Sequence, residues 1–207
     1  MYQLIKSRRK FAFVSLCLVF FGCSHSPYRY NFSLIEPKSD AMSFEDEKVQ
    51  FELIPSSENI SVSIENNSDH EISFVRDNAQ FIDATGKSYR VHYGNDYVDE
   101  VLNYINEYNR NAPRIKIAPN SGIDGYVWIN DWQNATTGEG ASTHPITSHT
   151  VANQMVPLFP RYSFEGSGED LKNSTFSLIL PIDFDGQISN YRFKFMIDDV
   201  EEKKDFD

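Results

Sequence analysis

The 207-residue sequence predicts an all-β fold, an antiparallel β-sandwich with one inserted short helix. Three observations lead to this prediction. Apolar and polar residues alternate in many short segments, turn-forming residues separate these segments at regular intervals, and a single segment has helical periodicity. In the first alternating segment, Gln50 and Glu52 separate Val49, Phe51 and Leu53, so the apolar side chains share one face of a pleated strand.

The other strand candidates follow in order along the chain. They contain residues 60–64, 72–74, 89–93, 115–117, 126–129, 175–180 and 191–197. Turn residues lie between them, for example the Asp-Gly pair at 185–186 before the last candidate. Short strands with regular turn signals and little helix are typical of an antiparallel sandwich.

Residues 96–109 break the strand pattern. Val98, Val101 and Ile105 recur at helical spacing, and Asp96 precedes them as a helix cap. We expect a helix of about three turns that packs on the sheet through this apolar stripe. Residues 132–150, by contrast, lack periodicity and are rich in Thr, Ser and Gly, which predicts a long loop.

The N-terminus has the pattern of a secretory signal. Residues 1–10 carry four basic residues and no acidic one, and residues 11–21 form an uncharged apolar run. A helix needs roughly 20 apolar residues to cross a bilayer core, so this run is too short for a retained transmembrane anchor, which is the weaker alternative.

The apolar run ends in Phe20, Phe21, Gly22 and Cys23, which resembles the lipobox of bacterial lipoproteins. The resemblance implies cleavage after Gly22 and lipidation of Cys23, although Phe20 stands where that family usually carries an aliphatic residue. Ser24 after the cysteine resembles the outer-membrane sorting pattern, which implies a lipid-anchored protein of the outer membrane that faces the periplasm. The alternative is an ordinary signal peptide with a nearby free cysteine.

These features divide the chain into four parts. We expect a signal peptide at 1–22, a lipidated cysteine and flexible tether at 23–46, a β-sandwich domain at 47–200 and a charged tail at 201–207. The composition of residues 24–46, with Ser, Pro and charge, favours a tether, while residues 30–35 are an alternative candidate for an edge strand.

The predicted mature chain is strongly acidic. Removal of residues 1–22 takes away four of the 19 basic residues and none of the 30 acidic ones, which changes the net charge from −11 to −15. An acidic surface argues against nucleic-acid binding, because phosphate contacts depend on Lys and Arg. It is compatible with a basic partner, or with solubility alone.

Residues 60–91 contain a motif that resembles Ig-like modules of bacterial lipoproteins, the telokin-like group among them. The matching residues are Asn66, Asn67, Phe81, Asp83, Gly86 and Tyr89. The resemblance implies an Ig-like sandwich with a hairpin at residues 81–89. It implies binding or assembly roles only in general terms, because the motif describes a fold and not a chemistry.

Two histidines are the candidate metal ligands. His144 and His149 lie in the predicted loop, where Glu139 could complete a site, but no regular element fixes their spacing. Loop histidines without a metal are the alternative, and we expect no metal and no cofactor. The sequence also lacks a nucleophile elbow and a phosphate-binding glycine loop, so we expect no enzyme activity.

Aromatic residues mark a candidate ligand or partner surface. Tyr126 and Trp128 share one face of their strand, opposite Val127 and Ile129, and Trp132 follows shortly. If the aliphatic pair faces the core, the two aromatic side chains face outward. The alternative is that the helix or the long loop covers this face.

Three functional hypotheses remain open. The first is a lipid-anchored, non-catalytic module that binds or assembles with another envelope protein. The second is an inhibitor or immunity lipoprotein against a basic toxin or hydrolase, which the acidic charge would attract. The third is a carbohydrate-binding or hydrolytic envelope protein that uses the aromatic residues and the His144 loop.

Overall fold

The computed structural model describes residues 26–108, 110–130 and 147–203. In these residues the chain forms antiparallel strands with little helix, which confirms the predicted all-β sandwich. The strands are β1 (Tyr28–Glu36), β2 (Lys38–Ser39), β3 (Ser43–Glu45), β4 (Val49–Pro55), β5 (Ile60–Asn66), β6 (Ile72–Phe74), β7 (Gln80–Ile82), β8 (Ser88–Gly94), β9 (Ile115–Ile117), β10 (Ser121–Ile129), β11 (Thr175–Phe184) and β12 (Gln187–Glu202). The helices are α1 (Tyr97–Asn106) and α2 (Ser148–Asn153).

The strands form two layers that are nearly closed into a barrel. The first sheet has the order β2-β1-β12-β11, with the short strands β6 and β9 beyond β11. The second sheet has the order β3-β4-β5-β10-β8. β7 pairs with both β11 and β8 and so joins the two sheets at one side. At the other side the strand order ends in β2 and β3, which follow each other in the chain. Both are short, so the described part of the nearly closed sheet has short edge strands.

The core lies between the two sheets. Alternation along each strand turns one set of apolar side chains inward, and aromatic rings fill much of the space. The rings of Phe176 and Phe195 stack with centroids 5.0 Å apart, and Phe51 contacts Phe193 at the same distance. The first pair joins neighbouring strands of one sheet, whereas Phe51 and Phe193 join the two sheets through burial and ring geometry.

The predicted tether is wrong for residues 28–45. β1 pairs with β12 over its whole length, and its Leu34 is buried in the core. The alternative of a strand at 30–35 is therefore confirmed, although β2 and not β1 lies at the edge of the sheet, and the sandwich begins some 20 residues earlier than expected. Although this segment is polar in composition, Tyr30, Phe32 and Leu34 alternate with other residues at a period of two. In the structure these three side chains point toward the core.

The C-terminal boundary also differs from the prediction. β12 extends to Glu202 because β1 provides pairing partners as far as Tyr28, so residues 201–202 belong to the sheet and not to a frayed tail. Partner strands, and not local composition, therefore decide where this segment ends.

The hairpin motif at 81–89 forms the predicted turn between β7 and β8. One Asp83 carboxylate oxygen accepts hydrogen bonds from Thr85 and from the Lys87 N–H, and the other accepts one from the Tyr89 hydroxyl. Burial is the largest single influence and raises the pKa of Asp83, but these hydrogen bonds together hold it below its ordinary value. Gly86 has a φ of +86°, which a glycine adopts without strain.

The inserted helix is confirmed as α1, and the Asp96 side chain accepts a hydrogen bond from the Asp99 N–H at 3.0 Å as expected of a cap. A buried ion pair of 2.9 Å between Arg76 and Glu100 fixes α1 to the sandwich. The short helix α2 begins inside the segment 132–150 that was predicted as a loop and continues beyond it to Asn153. α2 packs against α1 and buries Val151 in a small second core. The six residues of α2 are too few for their own sequence pattern to predict this contact.

Candidate functional site

The structure separates the two aromatic residues of the predicted partner surface. Tyr126 is 42% exposed on the outer face of β10. Trp128 is only 4% exposed because α1 and α2 cover it, and its ring contacts that of Tyr97 at 5.6 Å. The alternative of a covered face thus holds for Trp128 and not for Tyr126. Trp132, the third predicted residue, lies outside the described residues.

The predicted histidine pair is only half described. His149 is exposed on α2, and its ring lies 3.2 Å from the Asn153 side-chain amide. His144 and Glu139 lie outside the described residues, as does Cys23. Within residues 26–108, 110–130 and 147–203, no three His, Cys, Asp or Glu side chains come close enough to hold a metal ion. The expectation that His144 and His149 hold no metal stays a prediction.

Tyr126 belongs to a row of outward side chains across the second sheet. Ser61 on β5 pairs with Ile54 on β4 at one side and with Tyr126 on β10 at the other. Ile54 is 59% exposed, so two large apolar side chains flank a small serine. Sequence reasoning missed Ile54, although its position out of phase with the inward Leu53 was the available signal.

The neighbouring rows of this face are acidic. In the next row Ser63 pairs with Glu52 and Asp124, and in the row beyond it Glu65 pairs with Gln50. The outward side chains of the acidic rows are Ser43, Glu45, Gln50, Glu52, Ser63, Glu65, Gly122 and Asp124. Neighbouring strands lie about 4.8 Å apart, so the four carboxylates are spread over a surface roughly 15 Å wide.

We call this surface the acidic face and define it as the outward side chains of β3, β4, β5 and β10 from Ser43 to Tyr126. None of these strands contains a lysine or arginine at any position. Within the described part of the chain, Glu45, Glu52, Glu65 and Asp124 form no salt bridge. The negative charge of the face is therefore not neutralised by neighbouring cations in that part.

The outer face of the first sheet provides the contrast. It carries charges of both signs, and some of these form ion pairs: Lys194 lies 3.3 Å from Glu36, and Lys172, in the turn before β11, lies 2.7 Å from Asp199. The acidic residues of the chain are therefore unevenly arranged, with an unbalanced set on one sheet.

We infer that the acidic face is shallow, because small residues lie at its centre and border. Ser61 and Ser63 provide small side chains at its centre, and Gly94 and Gly122 provide none at its border. Small-molecule sites are concave and mostly apolar, whereas a flat surface with a few exposed apolar groups and a polar surround resembles a protein interface. Geometry thus favours a macromolecular partner.

A buried polar cluster lies beneath α1 and α2. His92 is 2% exposed, and its ring contacts that of Tyr104 with centroids 4.8 Å apart. Burial, with help from the nearby positive charges of Arg76 and Arg90, lowers the pKa of His92 from 6.5 to about 4, while the Asn130 side chain partly offsets this. His92 is therefore neutral at physiological pH, and its burial removes it from contact with any external substrate.

No protein-family model matches the chain, and no curated protein or solved structure is significantly similar to it. In the described residues, none of the helices has the length and apolar character that a membrane crossing requires.

Proposed function

We propose that this chain is a lipid-anchored bacterial envelope protein that binds a positively charged protein partner through the acidic face. The observation that carries the proposal is the uncompensated set of four carboxylates beside the exposed Ile54 and Tyr126. The secretory pattern of residues 1–21 and the Gly22-Cys23 pair support the lipid anchor, and Ser24 supports a position in the outer membrane.

The acidic face combines two contributions to binding. Its carboxylates attract a basic partner over long range and accelerate association, an effect that salt weakens. Ile54 and Tyr126 lie at one end of the face, where a docking partner would cover them and remove apolar surface from water. Tyrosine is among the residues that most often dominate binding energy at interfaces.

The partner is either a structural protein of the envelope or a basic enzyme or toxin that the chain inhibits. Either kind of partner would bind the acidic face. An activity assay on the captured partner distinguishes an inhibited enzyme or toxin from a structural protein. The carbohydrate-binding alternative receives less support, because Trp128 is buried and leaves Tyr126 as the exposed ring of the predicted pair. Stacking of a sugar on adjacent aromatic rings therefore has no basis in this pair.

The experiment is crosslinking in intact cells followed by purification of the full-length protein and identification of its partners. The test variant reverses charge on the acidic face with Glu52→Lys and Asp124→Lys. The matched control carries Glu169→Lys and Asp170→Lys, the same change in net charge at exposed positions of a short 3-10 turn beside β12. Each variant is first checked for a wild-type melting temperature.

We expect one basic partner to be captured by the wild type and by the control variant. Capture by the face variant should fall about tenfold or more, because like charges that face each other across an interface are strongly unfavourable. Equal capture by both variants, or capture that does not weaken as salt is raised, would show that the acidic face is not the binding surface.

The anchor is tested separately with Cys23→Ser. Loss of the variant from the membrane fraction, with the wild type retained there, supports lipidation at this residue. Retention of a mature-sized Cys23→Ser protein in the membrane would disprove the anchor.

A further inference from the structure

The sandwich begins very close to the proposed lipid anchor. Ser26 is the first described residue, and three peptide bonds join it to Cys23. A fully extended chain gains at most about 3.6 Å per residue, so these bonds span about 11 Å or less. If Cys23 carries the lipid, as the proposed function states, the end of the sandwich at Ser26 lies next to the bilayer surface.

A second segment is fixed to this end of the sandwich. The Tyr28 N–H donates a hydrogen bond to the Arg161 carbonyl at 2.8 Å, and the Ser163 N–H donates one to the Ser26 carbonyl at 3.3 Å. Tyr162 consequently lies opposite Pro27 in an isolated bridge. Residues 161–163 therefore lie directly against residues 26–28, at the end of the sandwich that follows the proposed anchor.

This segment displays an aromatic pair to solvent. Phe164 is 63% exposed and Tyr162 is 36% exposed, and their rings stack with centroids 5.4 Å apart at an angle of 10°. Arg161 holds the segment in place through ion pairs with Glu165 at 2.7 Å and with Glu58 at 3.3 Å. A stacked and exposed ring pair on a fixed segment is a preformed apolar contact surface.

The groove next to this segment combines aromatic and cationic side chains. It has a volume of about 360 Å³, and its lining includes Pro27, Tyr28, Arg29 and Lys203. Among the described residues no carboxylate lines the groove itself, although Glu201 and Glu202 of β12 pair with Arg29 and Tyr28 beside it. Aromatic residues with nearby cations are the side chains that favour the membrane–water interface.

We propose that Tyr162 and Phe164 insert into the interfacial layer of the membrane that holds Cys23, with Arg29 and Lys203 facing lipid phosphates. The occupant of this surface is the bilayer and not a protein, because the anchor places the bilayer within about 11 Å of it. Because the lipid already holds the protein at the bilayer, the contact of Tyr162 and Phe164 with the membrane is in effect intramolecular. Even a small apolar area is then enough to hold the sandwich in one orientation relative to the membrane.

The test uses tryptophan as a depth probe in the membrane-extracted, mature lipoprotein. The test variant is Phe164→Trp, and the matched control is Ile188→Trp, an exposed apolar residue at the opposite end of β12. Residues 188 and 202 are about 45 Å apart along the strand. Each protein is reconstituted into phosphatidylcholine vesicles with or without bromine on the acyl chains near the headgroup, and the emission of the parent protein is subtracted.

We expect the added emission of Phe164→Trp to shift to shorter wavelength and to be quenched by the brominated lipid. The added emission of Ile188→Trp should show neither the shift nor the quenching. Unquenched emission from Phe164→Trp in protein that floats with the vesicles overturns this inference and leaves the anchor intact. Failure of the parent protein to float with vesicles overturns the anchor, and the membrane contact that depends on it fails as well. Equal quenching of both probes also overturns the inference, because it shows no preferred orientation.

Discussion

Acidification from about pH 7.5 to about pH 4.5 should remove roughly 2.5 kcal/mol from the free energy of unfolding through His92 alone. The value follows from two pKa values, the ordinary 6.5 in the unfolded chain and about 4 in the folded one. Burial is the main cause of the lowered pKa, and the positive charges of Arg76 and Arg90 add to it.

The sign follows from proton binding. Below about pH 6.5 the His92 imidazole in the unfolded chain takes up a proton, while in the folded chain it stays neutral until about pH 4. Protonation therefore favours the unfolded state throughout this window, and stability falls as the pH falls. The loss is nearly complete at about pH 4, where the folded chain also begins to bind the proton.

The assay is urea denaturation at both pH values for the wild type and for His92→Gln, which keeps a neutral polar side chain but does not titrate. His70→Gln is the control, because the His70 side chain is 72% exposed. The wild type and the control should lose about 2.5 kcal/mol more than His92→Gln between the two pH values. Comparison of variants subtracts the titration of other groups such as Glu100, whose pKa is raised by burial.

Equal losses in the wild type and in His92→Gln would refute the reasoning. They would mean that His92 titrates in the folded protein as it does in the unfolded chain, which a side chain buried beneath α1 does not do. A direct NMR titration of the His92 ring gives an independent measurement of the same pKa.

Three further predictions concern the stability of the fold. Arg76→Met should lower the free energy of unfolding by about 3–5 kcal/mol in urea denaturation, because it leaves the Glu100 carboxylate buried without its cation, and Arg76→Met with Glu100→Leu should restore part of the loss. Gly125→Ala should cost about 1–3 kcal/mol and lower the melting temperature, because the new Cβ would lie 2.8 Å from the Tyr93 ring. Asn66→Ala should cost about 1–3 kcal/mol by chemical denaturation, because the buried Asn66 amide donates to three backbone carbonyls.

Local patterns were sufficient to predict the central elements of the fold. The alternation of β4 and β5 and the stripe and cap of α1 are each visible within about ten residues, and the structure places all three as expected. The full length of β1 and the end of β12 were missed because each is ordered by the other across some 170 residues of chain. Pairing over that separation leaves no local signal beyond a weak period of two.

The candidate surface was predictable only in part, for the same reason. The sequence singled out Tyr126 as outward-facing, but the burial of Trp128 depends on two helices that pack over one end of the sheet. The acidic face was not visible either, because its carboxylates come from four strands that are separate in the sequence and become neighbours only through strand pairing.

The sequence by itself determined the all-β class, the inserted helix, the acidic charge and the secretory pattern at the N-terminus, because each of these depends on composition or on short-range periodicity. Only the tertiary structure decided where the domain begins, which aromatic side chains reach solvent and where the acidic residues gather. Those properties depend on which distant strands become neighbours. The pairing of those strands is stabilised by burial of side chains that lie far apart in the chain.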